Sequence, residues 1–184
     1  LPEALEQGTQ AIIREVTALK TLVDEFSSFA RLPAVNPVPC DLNALIESTV
    51  ALYDGMAGKL RFEKRYDAGL PRVLLDPEQM KRVFVNLIDN ARDAMGGDGT
   101  ILLATTYFPK VEVLRVEVAD EGPGIPPEDR DRLFVPYFST KKKGTGLGLA
   151  IVNRIVSDHD GYIRAENNRP KGARFIVELP ARKA

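Results

Sequence analysis

One cysteine, one histidine and no tryptophan occur in 184 residues. A single thiol, Cys40, cannot close an intrachain disulfide and fits a reducing compartment, so the fold must rest on its core rather than on crosslinks. A single imidazole, His159, cannot build a metal cluster. It stands before Asp160-Gly161 at the end of a predicted helix, where a capping or packing role is expected. Neither sign of charge dominates: 25 Lys and Arg against 26 Asp and Glu leave a formal charge of −1, which offers no basic surface to nucleic acid. No apolar stretch approaches the ~18 residues that span a bilayer and no signal-peptide pattern opens the chain, so this piece is expected to be soluble. An initiating Met is missing too, and Leu1 reads as the start of a segment cut from something larger.

What is present is 44% apolar composition, enough for one globular domain with an appendage. Leu5, Ile12, Val16, Leu19, Val23, Phe26 and Ala30 fall on a heptad seam and predict one long helix over residues 3–31. Ile13, Leu22 and Phe29 widen the stripe toward that of a helical bundle. Such a helix either folds back on its own domain or awaits partners from other segments or a second subunit. Pro33, Pro37 and Pro39 stop it, which divides the chain into a helical unit at 1–33, a linker at 34–40 and a second domain at 41–184.

In that second domain, Asp41 is expected to cap a helix reaching Met56, with Leu45, Ile46, Thr49, Leu52, Tyr53 and Met56 on one face. Short strands follow at 60–66 and 72–75. Asp76-Pro77-Glu78 opens a helix that runs to Met95 and ends at Gly96-Gly97. Its buried stripe is Met80, Val83, Phe84, Leu87, Ile88 and Ala91; the polar side carries Gln79, Arg82, Asn86, Asp89, Asn90 and Asp93. Asn86 and Asn90 stand one turn apart, either on a solvated face or as amide oxygens for a hydrated Mg²⁺. A hairpin at 101–107 and 112–119, a helix over 149–158 and strands at 162–167 and 173–179 complete the pattern. The expected fold is an α/β two-layer sandwich, helices on one face of a mixed sheet, preceded by one long α-helix.

The strand ending at Ala119 delivers Asp120-Glu121-Gly122-Pro123-Gly124-Ile125, where glycines let the backbone approach a flat ligand and Asp120 can accept a hydrogen bond. After the aromatic run Phe134 to Phe138 and Ser139-Thr140-Lys141-Lys142-Lys143 comes Gly144-Thr145-Gly146-Leu147-Gly148-Leu149, which opens a helix and so favours phosphate. A base at one end and phosphates at the other describe a nucleotide pocket. The Walker pattern is absent, and the second glycine cluster does not close a strand-to-helix turn as a dinucleotide fingerprint would.

From Asp76 to Leu179 the chain resembles the ATP-binding domain of sensor histidine kinases, the Bergerat-type fold also found in gyrases, MutL repair proteins and heat-shock chaperones. Asn86-Leu87-Ile88-Asp89-Asn90-Ala91 resembles its N box, Asp120 to Gly124 its first glycine box, Phe134 to Phe138 its F box and Gly144 to Leu149 its second glycine box. The resemblance implies that Asp120 binds the adenine amino group, that Asn90 with help from Asn86 holds Mg²⁺, and that Lys141 and the amides near Gly146 and Gly148 meet the phosphates. The ATP-binding set so implied is Asn86, Asn90, Asp93, Asp120, Gly122, Gly124, Ile125, Phe134, Phe138, Thr140, Lys141, Lys142, Gly144, Thr145, Gly146, Leu147, Gly148 and Leu149.

The first helix, through Asp24-Glu25-Phe26-Ser27-Ser28-Phe29-Ala30-Arg31, is similar to the second helix of the dimerisation and phosphotransfer bundle of nitrogen-regulation sensor kinases. That implies a homodimer through this helix and transfer of the ATP γ-phosphate to a histidine, then to a response-regulator receiver domain. It also implies a parent protein anchored in the bacterial inner membrane by upstream segments. Two departures matter. Asn86 stands where hydrolysing relatives carry a water-activating glutamate, and, the larger one, the helix with the phosphoacceptor histidine is missing; Asp93, where many sensor kinases place a phosphate-binding lysine, and Arg174, where threonine is common, are smaller differences. The family's phosphoacceptor box is not in this sequence and His159 does not match it, so this piece is expected to bind ATP without phosphorylating itself. A Bergerat ATPase working as a clamp, and a non-catalytic module for nucleotide sensing or dimerisation, are the alternatives.

Overall fold

The structure, a computed structural model, describes residues 2–55, 59–141 and 144–182, with the side chains of residues 2–4, 25 and 28–30 excepted. Helix α1 spans Pro2–Ala30. Its seam residues are exposed, from 49% for Phe26 to 75% for Leu5, so the helix does not fold its apolar stripe back onto the rest of the chain. The side chains of Phe29 and Ala30 lie outside the described residues.

Strand β1 (Val38–Cys40) forms within the stretch read as linker, pairing antiparallel with β3 (Val73–Leu75). Proline 39 is tolerated because a two-stranded ribbon leaves its donor-free side unpaired. Burial pushes the Cys40 thiol up from its ordinary value, with Asp41 adding to the shift, so the sulfur stays protonated and unreactive. Helix α2 (Leu42–Val50) starts where the Asp41 side chain accepts from the Ala44 N–H. It stops well before Met56, in a 3₁₀ turn at Ala51–Tyr53. Leu52 is exposed there instead of packed, while Tyr53 turns to donate to Asp89 Oδ1; Met56 lies outside the described residues.

The main sheet is mixed, in the order β2-β4-β5-β7-β6, built from β2 (Lys59–Arg65), β4 (Asp98–Phe108), β5 (Val113–Ala119), β6 (Tyr162–Asn167) and β7 (Ala173–Pro180). β2 runs parallel to β4 and the other pairs are antiparallel. Helices α3 (Pro77–Ala94) and α4 (Gly148–Asp158) cover one face. Phe84, Leu87 and Ile88 of α3 and Val152, Ile155 and Val156 of α4 are fully buried over Leu114, Val116 and Val118 of β5. Each such side chain contributes roughly 1.5–3 kcal/mol by leaving water. The other face is a ladder of charge, with Arg115 paired to Glu178 at 2.8 Å and Arg174 to Glu117 at 3.4 Å.

His159 ends α4 and is packed, as its position implied. It is 7% exposed; Nδ1 donates to the Ile155 carbonyl and Nε2 accepts from the Asp76 N–H. Asp76 also accepts from Gln79 N–H, at the start of α3, and from Asn36 N–H. That knot ties the segment after α1 to both helices.

Candidate functional site

The apolar stripe of α3 pins the helix, and its 3.6-residue period turns Asn86, Asn90 and Asp93 away from the core. These three line a cavity of about 550 Å³ together with Phe138, Thr140, Lys141, Gly144, Thr145 and Gly146 of the lid, Gly148 and Leu149 of α4, and Thr21 of α1. Gln79, expected on the same polar side, is buried and donates to the Pro33 carbonyl. Lys141 reaches from the lid to α3, its Nζ donating to Asn90 Oδ1 at 3.1 Å and to Asp93 Oδ2 at 3.0 Å. A cation is thereby held at the amide oxygen expected to take one.

Asn86 donates to the Arg82 carbonyl at 2.8 Å, and its Oδ1 faces Gly148, where a Cβ would stand 2.9 Å away. The N-cap of α4 is Leu147, whose apolar side chain makes no capping bond, and the helix dipole presents positive potential to the cavity. Gly146, at φ +73, brings the lid back on itself: its carbonyl accepts from Tyr137 N–H at 3.0 Å, and a Cβ would lie 2.5 Å from the Tyr137 carbonyl carbon.

Asp120 lies outside the described lining of this cavity. It is 2% exposed, its Oδ1 accepting from Gly122 N–H at 2.8 Å and Ala173 N–H at 3.1 Å. Among the described residues Oδ2 carries no hydrogen bond, which leaves one free acceptor. Burial pushes the carboxyl up from its ordinary value, while the two N–H donors pull the other way. A second cavity of about 690 Å³ is lined by Tyr53, Leu60, Phe62, Arg92, Gly96 and Gly97 and shares Asp93 and Lys141 with the first. The Lys141–Asp93 pair therefore borders both spaces.

Ile125 and Leu147 are buried in the core, Phe134 packs half-buried against it, and none of the three is in the described lining of the cavity. Gly122 and Gly124 lie beside Asp120, against Ala94 and Asn167 respectively. Lys142 lies outside the described residues. Among the described residues no three His, Cys, Asp or Glu side chains converge as a metal cage. A divalent cation would instead rely on an amide oxygen, ligand phosphates and water, the donor set that suits Mg²⁺, and the ammonium already at Asn90 fits that polarity.

Residues 75–183 match the family model of the histidine kinase-, DNA gyrase B- and HSP90-like ATPases. The chain belongs to that family. It is 34% identical over 190 residues to the sensory histidine kinase/phosphatase NtrB of Rhizobium meliloti (strain 1021), covering 95% of this chain and 50% of that protein. The chain spans about half the length of the curated relatives it matches. Among solved structures, a nucleotide-free catalytic domain of the histidine kinase ThkA superposes with a TM-score of 0.72 at 34% identity, covering 80% of this chain and 97% of that one. ThkA in complex with the response regulator TrrA gives 0.76 at 32% identity, covering 98% and 52%. Beyond the first helix, this is the ATP-binding catalytic domain of the sensor histidine kinases.

Some contacts beside the site are not announced by the sequence. Asn167 and Asn168 reach across to the loop that starts at Asp120; their only visible signal was a tandem of asparagines at a strand end. Tyr53, on the packed face of the predicted helix, does pack against the core, and its hydroxyl also donates to Asp89 on the polar side of α3; burial together with Asp89 pushes that phenol upward.

Proposed function

We propose that this chain works as the catalytic core of a sensor histidine kinase, binding Mg²⁺-ATP between α3, the lid and the N-terminus of α4. Asp120 accepts the amino group of the base through its free Oδ2. Asn90, helped by Asn86, would hold the metal, and Lys141, now paired with Asp93, would meet the phosphates. The first-turn N–H groups at Gly148 and Leu149 would face the same phosphates, with Phe138 and Thr140 lining the lid side of the cavity. Bound Mg²⁺ would neutralise the charge that develops on the transferred phosphoryl group. The rest is positioning and exclusion of water, which needs no nucleophile from this domain.

One observation carries this reading: the amide of Asn86, without basicity, stands one turn before the cation-holding Asn90 and faces the start of α4 at Gly148. A clamp ATPase would need a base at that position to activate water. His159 is not the acceptor, because both of its ring nitrogens are engaged in a buried site. The phosphoryl group goes instead to a histidine on a bundle helix that pairs with α1, in a homodimer, and then to a receiver domain. The parent protein is a nitrogen-regulation type sensor held at the bacterial inner membrane by other segments.

The test mixes this chain with γ-labelled ATP, Mg²⁺ and a separately supplied phosphoacceptor helix. Label on the helix and none on this chain is the expected result. Label on His159, or steady phosphate release without transfer, would overturn it.

A further inference from the structure

Two consecutive asparagines at the end of β6 bracket the first glycine loop from outside it. Asn167 makes both bonds a β-strand neighbour would make to Ile125: Oδ1 accepts its N–H at 2.7 Å and Nδ2 donates to its carbonyl at 3.3 Å. Asn168 takes the other end, its Nδ2 donating to the Asp120 carbonyl at 3.0 Å while its own Oδ1 accepts from Arg174. Between these ties lie Gly122, Pro123 and Gly124. The turn itself presses close. Gly172, at φ +103, stands where any Cβ would overlap the Asp120 carbonyl oxygen, and the next N–H, from Ala173, holds Asp120 Oδ1.

With Oδ1 saturated by two main-chain donors, the rotation of the Asp120 carboxylate is set by where the β6–β7 turn sits against the loop. We infer that Asn167 and Asn168 are positioning residues for base recognition: they fix both ends of the Asp120–Ile125 loop so that Asp120 Oδ2 points at an exocyclic amino group. They thereby set the preference for a 6-aminopurine over a 6-oxopurine nucleotide. This rests on the reading of Asp120 as the acceptor for the base. A buried acceptor discriminates only if it cannot swing away from the wrong partner, and two amide ties at opposite ends of a glycine-rich loop supply that restraint.

The experiment is calorimetric titration of the whole chain with Mg²⁺-ATP and Mg²⁺-ITP, for the wild type and for Asn167→Ala and Asn168→Ala, with thermal melts run in parallel. Wild type should bind ATP at least roughly tenfold tighter than ITP, the worth of one hydrogen bond to a charged acceptor. Each variant should lose most of that ratio, chiefly through weaker ATP binding, with ITP affinity nearly unchanged. Equal losses for both nucleotides, with the ratio preserved, would make the asparagines merely structural and overturn the inference. A wild-type ratio near one would remove the reading of Asp120 itself, a distinct failure that takes the inference with it. Should the alanine variants melt out, amide exchange of the wild type decides. Ile125 N–H should exchange far more slowly than an unstructured peptide amide, and exchange at that unprotected rate would show that the Asn167 tie does not restrain the loop.

Discussion

Asp120 and Lys141 show how the site trades stability for readiness. Asp120 is held by two N–H donors, yet burial wins and its carboxyl titrates above 3.8. An acid raised in this way costs nothing below its unfolded pKa, and its cost grows as pH climbs through the window above 3.8. Asp120→Asn keeps the acceptor for Gly122 and Ala173 and removes the buried charge. Melting temperature is therefore expected to hold or rise at neutral pH, with the pH slope of stability flattened just above the ordinary carboxylate range. ATP affinity should fall roughly 10- to 100-fold, since an amide nitrogen replaces Oδ2. Melts across pH, paired with calorimetry, check both halves. Lys141 makes the second case. Its pairing with Asp93 is half exposed on both sides, so it is worth little to the fold, but it sits on the oxygens a metal would use. Lys141→Gln should tighten binding of Mn²⁺ alone by up to roughly fivefold while weakening Mg²⁺-ATP, read by metal titration with and without nucleotide.

The helices were legible because their periods and caps are local. Asp76-Pro77 opens α3, the apolar stripe from Met80 to Ala91 is buried, and Asn86 and Asn90 emerge together. The strands were less so. β1 hid in a proline-rich stretch, and β2 pairs parallel with β4 across the whole of α3, a partnership that no alternation of side chains announces. Likewise the ties from Asn167 and Asn168 bridge 42 and 48 residues, so sequence neighbours gave no hint of them. The start of α3 carries a cap and a long-range tie at a single carboxylate. The Asp76 carboxylate serves both Gln79 and Asn36 from a site only 7% exposed. Asp76→Ala is expected to lower the unfolding free energy by about 2 kcal/mol, a lost cap plus a lost tie to the segment after α1. Urea unfolding measures it, and an unchanged midpoint would show the knot to be dispensable.

For the molecule as a whole, α1 is the element expected to govern association. Ile12, Val16, Leu19 and Val23 are each about three-fifths exposed, on a stripe too long to be left in water by chance. The chain should self-associate with concentration, and Val16→Glu should weaken that by at least about tenfold through a charge in the seam. Sedimentation equilibrium reads the difference; a wild type monomeric at millimolar concentration would argue that α1 needs a different helix as its partner.

The charged face of the sheet bears on the same question from the opposite side. Arg115 against Glu178 and Arg174 against Glu117 keep that surface wetted, and stacking a second copy upon it would strip water from ions already satisfied. A second copy is therefore expected to gain little by stacking there, and the apolar seam along α1 is the surface expected to bring copies side by side.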